Sequence, residues 1–145
     1  MAVFSLLYAS VSTIPEHRAE AEIEKLVEVS RVRNHALGIS GCLLFAGGRF
    51  AQALEGDRDA VTALMTRIVH DPRHLDVTIL EEGELSARRF GDWSLDYAGP
   101  SFFVQRTISR PAAEAMRGSR RGVSHLLEVM TGFREAQAAI PPLMV

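Results

Sequence analysis

Alternating apolar and polar positions near the start of the chain predict a β-strand over residues 2–8. The alternation places Tyr8 on the same face as two apolar side chains. The period then changes to that of a helix across residues 15–35, where apolar positions recur every three or four residues. Gly38 follows as a stop signal. The first quarter of the chain therefore predicts a strand followed by an amphipathic helix.

A glycine pair, Gly47-Gly48, is the strongest local turn signal in the chain and predicts a β-hairpin. On the second strand of this hairpin, Gln52 shares a face with Phe50 and Leu54. A buried primary amide needs hydrogen-bond partners, and each unpaired group costs about 1–3 kcal/mol. Gln52 is therefore a candidate functional residue.

A second helix follows, capped by Asp57 or Asp59 and ended before Pro72. Residues 76–85 and 93–97 then predict two further strands. The order strand, helix, strand, strand, helix, strand, strand indicates an α+β fold of the ferredoxin-like type, with both helices on one face of the sheet.

Beyond this unit, spacing from Val123 to Phe133 predicts a helix with one apolar face. We expect a domain over residues 1–100 and a helical extension over residues 101–145. The open face of the sheet is the natural place for the extension, although the apolar face could equally serve a partner or a dimer contact.

Composition narrows the classes of function. The 145 residues carry 16 basic and 18 acidic side chains, a net charge of −2, which gives no footprint for nucleic acid or an anionic membrane. The single cysteine, Cys42, cannot form an internal disulfide, no metal set can be assembled around it, and a small core residue is its simplest role. The apolar runs are too short for a leader or a membrane span, so we expect a cytoplasmic protein.

Three polar residues on apolar faces form the candidate site: Tyr8, Asn34 and Gln52. If these faces point toward the helices, the three side chains converge and either satisfy one another or surround a group with donors and acceptors. Each also has a simpler interpretation. Tyr8 could be a core aromatic with a solvated hydroxyl, Asn34 a helix cap, and Gln52 a surface residue if the register shifts by one.

Enzymatic chemistry finds little support in the motifs. The sequence has no nucleophile–base pair, no glycine-rich phosphate loop and no metal spacing. A ferredoxin-like enzyme of the acylphosphatase kind would need an Arg-and-Asn phosphate site on a loop, and none is visible. We therefore expect no enzymatic activity.

Four segments in order carry a resemblance: "LLYAS", "VSRVRNHALGISGCLLFAGGRFAQALEG", "DPRH" and "RRFGDWSL". They resemble the BLUF domain, a blue-light sensor that uses a flavin, over about residues 3–97. The resemblance implies a ferredoxin-like fold with the flavin ring between the two helices. It implies FAD as the cofactor, with FMN or riboflavin as alternatives that the sequence does not separate.

The resemblance also implies roles for individual residues. Tyr8 would donate an electron and a proton to the photoexcited flavin, and Gln52 would bridge Tyr8 and the flavin's N5/C4=O edge. The remaining flavin contacts implied by the resemblance are Leu26, Ser30, Arg33, Asn34, Ile68, Arg73 and His74. Trp93 and Leu95 would relay the signal, with Leu95 standing where the family usually has methionine, and Arg33 where it often has Asn or His.

These inferences predict a short BLUF photoreceptor without a catalytic output domain of its own. Output would pass to an unidentified downstream protein through the C-terminal helices or the interface of a homo-oligomer. The alternative is a flavin-binding protein that has lost signalling, an interpretation weakly favoured by Leu95.

Overall fold

The computed structural model describes residues 2–91, 94–98, 110, 114–115 and 117–139. The strands are β1 (Val3–Ser12), β2 (Ser40–Ala46), β3 (Arg49–Gly56), β4 (His74–Leu85) and β5 (Asp96–Ala98). The helices are α1 (Glu16–Leu37), α2 (Arg58–Val69) and α3 (Arg120–Ala139). None of the helices in this described part of the chain is long and apolar enough to cross a membrane.

The five strands form one sheet in the order β4-β1-β3-β2-β5. Neighbouring strands are antiparallel except for β5, which runs parallel to β2. The central pair, β1 and β3, places Tyr8 directly opposite Gln52. Directly opposed residues project from the same face. The predicted ferredoxin-like fold and the predicted face of both side chains are confirmed.

The turn between β2 and β3 sets how these two strands pair. Gly47 and Gly48 have φ values of 58° and 72°, in the left-handed region that L side chains rarely adopt. Two consecutive positive φ values match a tight hairpin turn, and hairpin turn geometry sets the pairing of the flanking strands. A shift of one residue would move Gln52 to the opposite face of the sheet.

Helices α1 and α2 pack on one face of the sheet and α3 on the other. Apolar side chains of β1, β2 and β3 form two clusters beneath the first two helices. On the opposite face, Val123, Leu126 and Met130 of α3 pack against the small and branched side chains of the sheet. The helix predicted from the spacing of Val123 to Phe133 and its place on the open face are confirmed. The proposed domain boundary at residue 100 lies outside the described residues, as does most of the chain between it and α3.

The C-terminus of α1 and the N-terminus of α2 lie where the sequence signals predict them. Gly38 ends α1 in the left-handed conformation with φ 67°, and its N–H donates to the carbonyls of the last turn. Asp57 caps α2, with its carboxylate accepting from Ala60 N at 3.2 Å. These caps set where the two helices stand on the sheet, and the groove between them forms the site described next.

Candidate functional site

A narrow cleft with an accessible volume of about 40 Å³ opens between α1 and α2 above the central strands. Its floor is formed by the sheet and its walls by the two helices and the loop after α2. The lining residues are Tyr8, Leu26, Ser30, Arg33, Leu43, Phe50, Gln52, Ile68, Asp71, Arg73 and His74.

A hydrogen bond between two buried side chains crosses the floor. The Tyr8 hydroxyl donates to Gln52 Oε1 at 2.5 Å, and the two side chains are 1% and 5% exposed. Burial, reinforced by the nearby Asp71 carboxylate and opposed by Arg33, raises the pKa of Tyr8 far above its usual value. Tyr8 is therefore a neutral phenol at any physiological pH. Gln52 uses its oxygen on Tyr8, which leaves Nε2 as the end that can serve a group in the cleft.

His74 closes one side of the floor. Its ring lies 4.5 Å from the Phe50 ring, centroid to centroid, and its Nδ1 shares a 2.7 Å hydrogen bond with the Ser10 hydroxyl. Burial lowers the pKa of His74, against the attraction of Asp71. The imidazole is therefore held in its neutral form, positioned by packing and by one hydrogen bond.

The loop after α2 holds the one ion pair that lines the cleft in the described part of the chain. Arg73 binds both carboxylate oxygens of Asp71, with Nε–Oδ1 at 2.9 Å and Nη2–Oδ2 at 2.5 Å. This bidentate bond is the main cause of the lowered pKa of Asp71. The charge of Arg73 is thus already compensated inside its own loop.

Arg33 on α1 has no comparable partner. Its Nε is buried and meets no hydrogen-bond acceptor among the described residues. Its Nη2 lies 3.5 Å from Asn34 Oδ1. Burial, followed by the nearby Arg67 guanidinium, lowers the pKa of Arg33. Among the described residues, this guanidinium has no ion-pair partner such as Arg73 has in Asp71.

Two side chains on the last turns of α1 hold the segment that leads into β5. Asn34 Nδ2 donates to the Ser94 carbonyl at 2.9 Å, and Arg31 Nε donates to the Leu95 carbonyl at 2.9 Å. Leu95 is buried in the cluster beneath α1. Asn34 is fully buried but does not line the cleft in this structure, so its predicted flavin contact stays a prediction. Trp93 lies outside the described residues.

Glu55, on the opposite face of the sheet, was missed by sequence reasoning. This carboxylate is 1% exposed and accepts hydrogen bonds from Arg89 N at 2.8 Å and Phe90 N at 2.6 Å. Phe90 in turn packs in the cluster beneath α3. Alternation along β3 places Glu55 on the same face as small apolar residues, and that signal could have identified a buried carboxylate.

The structure brings most of the predicted flavin contacts together. The contacts that line the one cleft are Tyr8, Leu26, Ser30, Arg33, Gln52, Ile68, Arg73 and His74. Asp71 also lines it, although sequence reasoning did not select it. Its position two residues before Arg73 was the available signal, because that spacing allows the two side chains to pair within one turn.

Comparison with known proteins decides the family. The family model described as sensors of blue light using FAD, the BLUF model, matches residues 3–96. The chain belongs to the BLUF family. BLUF domains are flavin-binding sensors of blue light, and the cofactor and sensing class predicted from sequence are confirmed at the level of the family.

Individual relatives agree with this assignment. The photoactivated adenylate cyclase subunit beta of Euglena gracilis is 33% identical over 90 residues, which is 62% of this chain and 10% of the cyclase subunit. BlrB, a BLUF protein solved in its dark state, superposes with a TM-score of 0.74 at 30% identity, covering 90% of this chain and 96% of BlrB. BlrP1 of Klebsiella pneumoniae, solved with FMN and cyclic diGMP, gives 0.64 at 27% identity, covering 96% and 37%. The chain spans about a tenth of the length of the first of these.

The side chains that line the cleft of this BLUF domain have the chemistry that suits a flavin. Leu26 on α1 and Ile68 on α2 both line the cleft and supply apolar surface for a planar ring. Tyr8 and Gln52 supply a hydrogen-bonding floor, and the orphaned Arg33 Nε supplies an unused donor. Apolar walls with few polar groups at defined positions are what an amphipathic ring system requires.

Proposed function

We propose that this chain is a blue-light photoreceptor in which Tyr8 and Gln52 form the photoactive pair and the light signal leaves by protein contacts. The observation that carries the proposal is the buried Tyr8–Gln52 hydrogen bond on the floor of a cleft with apolar walls. Leu26 and Ile68 would hold the flavin ring, and Ser30, Arg33, Asn34, Arg73 and His74 would hold its polar edges and tail.

Bound flavin excited by blue light supplies a strong one-electron oxidant. Tyr8 is suited to give up an electron only together with its proton, because its raised pKa excludes a standing phenolate. Its hydroxyl already donates to Gln52 Oε1, so the proton has an acceptor before light arrives. His74, held neutral by burial, adds no competing positive charge beside the phenol.

Gln52 acts as the switch because its two ends differ. The oxygen accepts from Tyr8 in this structure, and rotation or tautomerisation of the amide would exchange acceptor and donor. If the other end of the Gln52 amide faces the flavin carbonyl, the hydrogen bonding of that carbonyl changes. The absorption of the flavin changes with it. The chain forms no lasting covalent bond in this scheme, and the dark arrangement returns by itself.

Two routes lead from the switch to the surface. On the cleft side, Asn34 and Arg31 bond the carbonyls of Ser94 and Leu95. A change at α1 would therefore move the entry to β5, where Trp93 and Leu95 are the proposed relay. On the other side, β3 carries Glu55, whose bond to Phe90 N reaches the packing beneath α3.

The route through Glu55 and Phe90 would carry the light signal to α3. The apolar face of α3 packs on the sheet through Val123, Leu126 and Met130. A shift of β3 would disturb this packing and present a changed surface to a downstream protein or to a second copy of the chain. We propose no enzymatic step and no contact with nucleic acid or membrane for this domain.

The test is the visible spectrum of purified protein in the dark and directly after a blue flash. Flavin bands that shift slightly to the red and relax back in the dark support the photoswitch. Flavin bands that do not move support a flavin binder without signalling, the function that Leu95 would favour. Protein that takes up no flavin contradicts both. Sizing the dark and illuminated protein by light scattering then tests output through self-association.

A further inference from the structure

Helix α1 carries a second apolar surface on the side that faces away from the sheet. Ile23 and Val27 are buried in the cluster beneath α1. Val32 follows Ile23 by nine residues, which at about 100° per residue places the two side chains on opposite sides of the helix. Val29 and Val32 are 65% and 75% exposed, the highest values for large hydrophobic residues in the described part of the chain. The helix therefore presents two apolar faces, of which the sheet covers one.

The exposed valines form part of a regular stripe. Val29, Val32 and the exposed Ala36 follow each other at intervals of three and four residues, and we call them the valine stripe. This spacing is that of a seam between two packed helices. Valine is a poorer helix former than alanine, because its branched side chain loses rotamer freedom in a helix. The stripe therefore stabilises the protein only if something covers it.

We propose that the valine stripe binds the same stripe of a second copy of this chain, with the two α1 helices antiparallel about a two-fold axis between Val29 and Val32. Two-fold pairs are the commonest form of self-association, and they use the same surface on both copies. Val29 of one copy then lies beside Val32 of the other. None of the stripe residues lines the cleft, so the inference goes beyond the proposed function and depends on neither flavin nor light.

Charges beside the valine stripe favour the antiparallel arrangement. At a rise of about 1.5 Å per residue, Lys25 lies level with Ala36 of the second copy, in the last turn of its α1. The carbonyl groups of a helix C-terminus carry partial negative charge, which attracts the ammonium group of Lys25. Glu28, which has no ion-pair partner in the described part of the chain, is offset from His35 of the second copy by about 3 Å along the helix axis. A ring N–H of that histidine can donate to the carboxylate.

A parallel arrangement would place identical residues opposite each other. Lys25 would then face Lys25 and Glu28 would face Glu28, and like charges at neighbouring positions repel. The two helix dipoles would also point the same way. In the antiparallel pair, the two Lys25 residues lie about 16 Å apart along the axis, so this repulsion is absent. The nearby guanidinium of Arg33 lines the cleft rather than the stripe.

The contact is small, so we expect a weak dimer. One pair of helices in contact over two turns buries less than the roughly 1,200–2,000 Å² that stable complexes bury. We expect a dissociation constant of about 100 μM in the dark. Sedimentation velocity of full-length, flavin-loaded protein measures it over concentrations from about 10 μM to about 1 mM. A wild type that stays monomeric at the upper concentration would overturn the proposal.

A single substitution on the valine stripe tests which surface makes the contact. Val32→Glu places a carboxylate beside the two-fold axis and should weaken the dimer by about tenfold or more. Val69→Glu is the matched control, because it makes the same change at a half-exposed valine at the end of α2. It should dimerise as the wild type does, and circular dichroism verifies the fold of both variants. A wild-type dissociation constant in Val32→Glu, or equal weakening in Val69→Glu, would overturn the proposal.

Paired cysteine substitutions test the antiparallel direction. Lys25→Cys and Ala36→Cys proteins, mixed and mildly oxidised, should form a disulfide-linked dimer, whereas neither protein alone should do so. The native Cys42 is buried and does not compete. Linked dimers of either variant alone would indicate a parallel pair and overturn the arrangement, as would a mixture that stays unlinked. All these measurements are made in the dark, so their failure leaves the proposed photoswitch untouched.

Discussion

Strand β3 carries one buried polar residue on each face of the sheet, and the two have different surroundings. Gln52 faces the cleft, where its oxygen accepts one hydrogen bond from Tyr8. Glu55 faces α3, where its two oxygens accept backbone N–H groups from Arg89 and Phe90. Both side chains are nearly inaccessible to solvent. A neutral amide with a spare donor lies on one face, and a carboxyl group whose two oxygens accept from backbone N–H groups lies on the other.

This difference separates a group that can change partners from one that cannot. An amide that rotates exchanges a donor for an acceptor at little cost, provided that the cleft offers alternatives. A buried carboxylate that loses a backbone donor has no water to replace it. The cleft face is therefore suited to switching, whereas the α3 face is suited to holding the segment that precedes β5.

The largest effect is expected at Tyr8. Tyr8→Phe removes the donor on the cleft floor and the only phenolic proton that Gln52 accepts among the described residues, so the light-induced shift should disappear while flavin stays bound. Light-minus-dark absorption spectra measure this. Tyr97→Phe is the matched control, because the Tyr97 hydroxyl meets no hydrogen-bond partner in the described part of the chain. A normal shift in Tyr8→Phe, or its loss in Tyr97→Phe, would contradict the assignment.

The next largest effect is expected at Glu55, and it concerns the stability of the fold. Glu55→Ala leaves two backbone N–H groups without their acceptor and should lower the free energy of unfolding by about 3 kcal/mol. Urea denaturation of flavin-free protein measures the loss. Glu81→Gln is the control, because Glu81 is half exposed and meets Arg89 only at 3.9 Å. It should change stability by less than about 0.5 kcal/mol. Equal stabilities of the two variants would count against a structural role for Glu55.

Lowering the pH should reduce the stability of the fold through protonation of His74, which lies on the cleft face. Burial lowers the pKa of His74 in the folded state, so the unfolded chain binds more protons below about pH 6.5 and stability falls as the pH falls. We expect stability to fall between pH 7 and pH 5 in flavin-free protein, as measured by thermal unfolding. Asp71 works in a lower window, because its lowered pKa contributes stability that is lost only below about pH 4.

The variant His74→Gln removes this titration and should flatten the pH dependence of stability between pH 7 and pH 5. His17→Gln, at an exposed position on α1, should keep the wild-type slope. A slope that is the same in all three proteins would show that His74 does not carry the effect.

The smallest effect is expected at Leu95. Leu95→Met conserves volume in the cluster beneath α1, so stability should change by less than about 1.5 kcal/mol and the light-induced shift should persist. Dark recovery should change by less than about tenfold, which corresponds to ~1.4 kcal/mol in its barrier. Leu64→Met in α2, equally buried, should leave recovery unchanged. Loss of the shift in Leu95→Met would assign the leucine a larger part than packing.

The sequence predicted the cleft side better than the α3 side, for a physical reason. Alternation with period two reports which face a strand residue occupies, so Tyr8 and Gln52 could be placed together from the pattern and the Gly47-Gly48 turn. The partners of Glu55 are backbone N–H groups of a distant loop, and no side-chain pattern reports those. The same holds for Asn34, whose side chain reaches the Ser94 carbonyl sixty residues away.

Arg33 shows a second limit. Its helical spacing gave its position on α1 and the resemblance gave its neighbourhood, but neither revealed that its Nε lacks an acceptor. Whether Arg33 finds an acceptor depends on which nearby carboxylates already bind other side chains. Asp71 is engaged by Arg73 through the geometry of a loop, which the sequence indicated only as a helix-ending segment.

The most direct test of the central comparison uses two variants of one strand, Gln52→Leu and Glu55→Gln. Light-minus-dark absorption spectra of both, with flavin bound, report whether the switch lies on the cleft face alone. The account predicts that Gln52→Leu loses the reversible red shift and that Glu55→Gln keeps it. A red shift of wild-type size in Gln52→Leu would contradict the account, because the shift would then not require the amide that Tyr8 bonds.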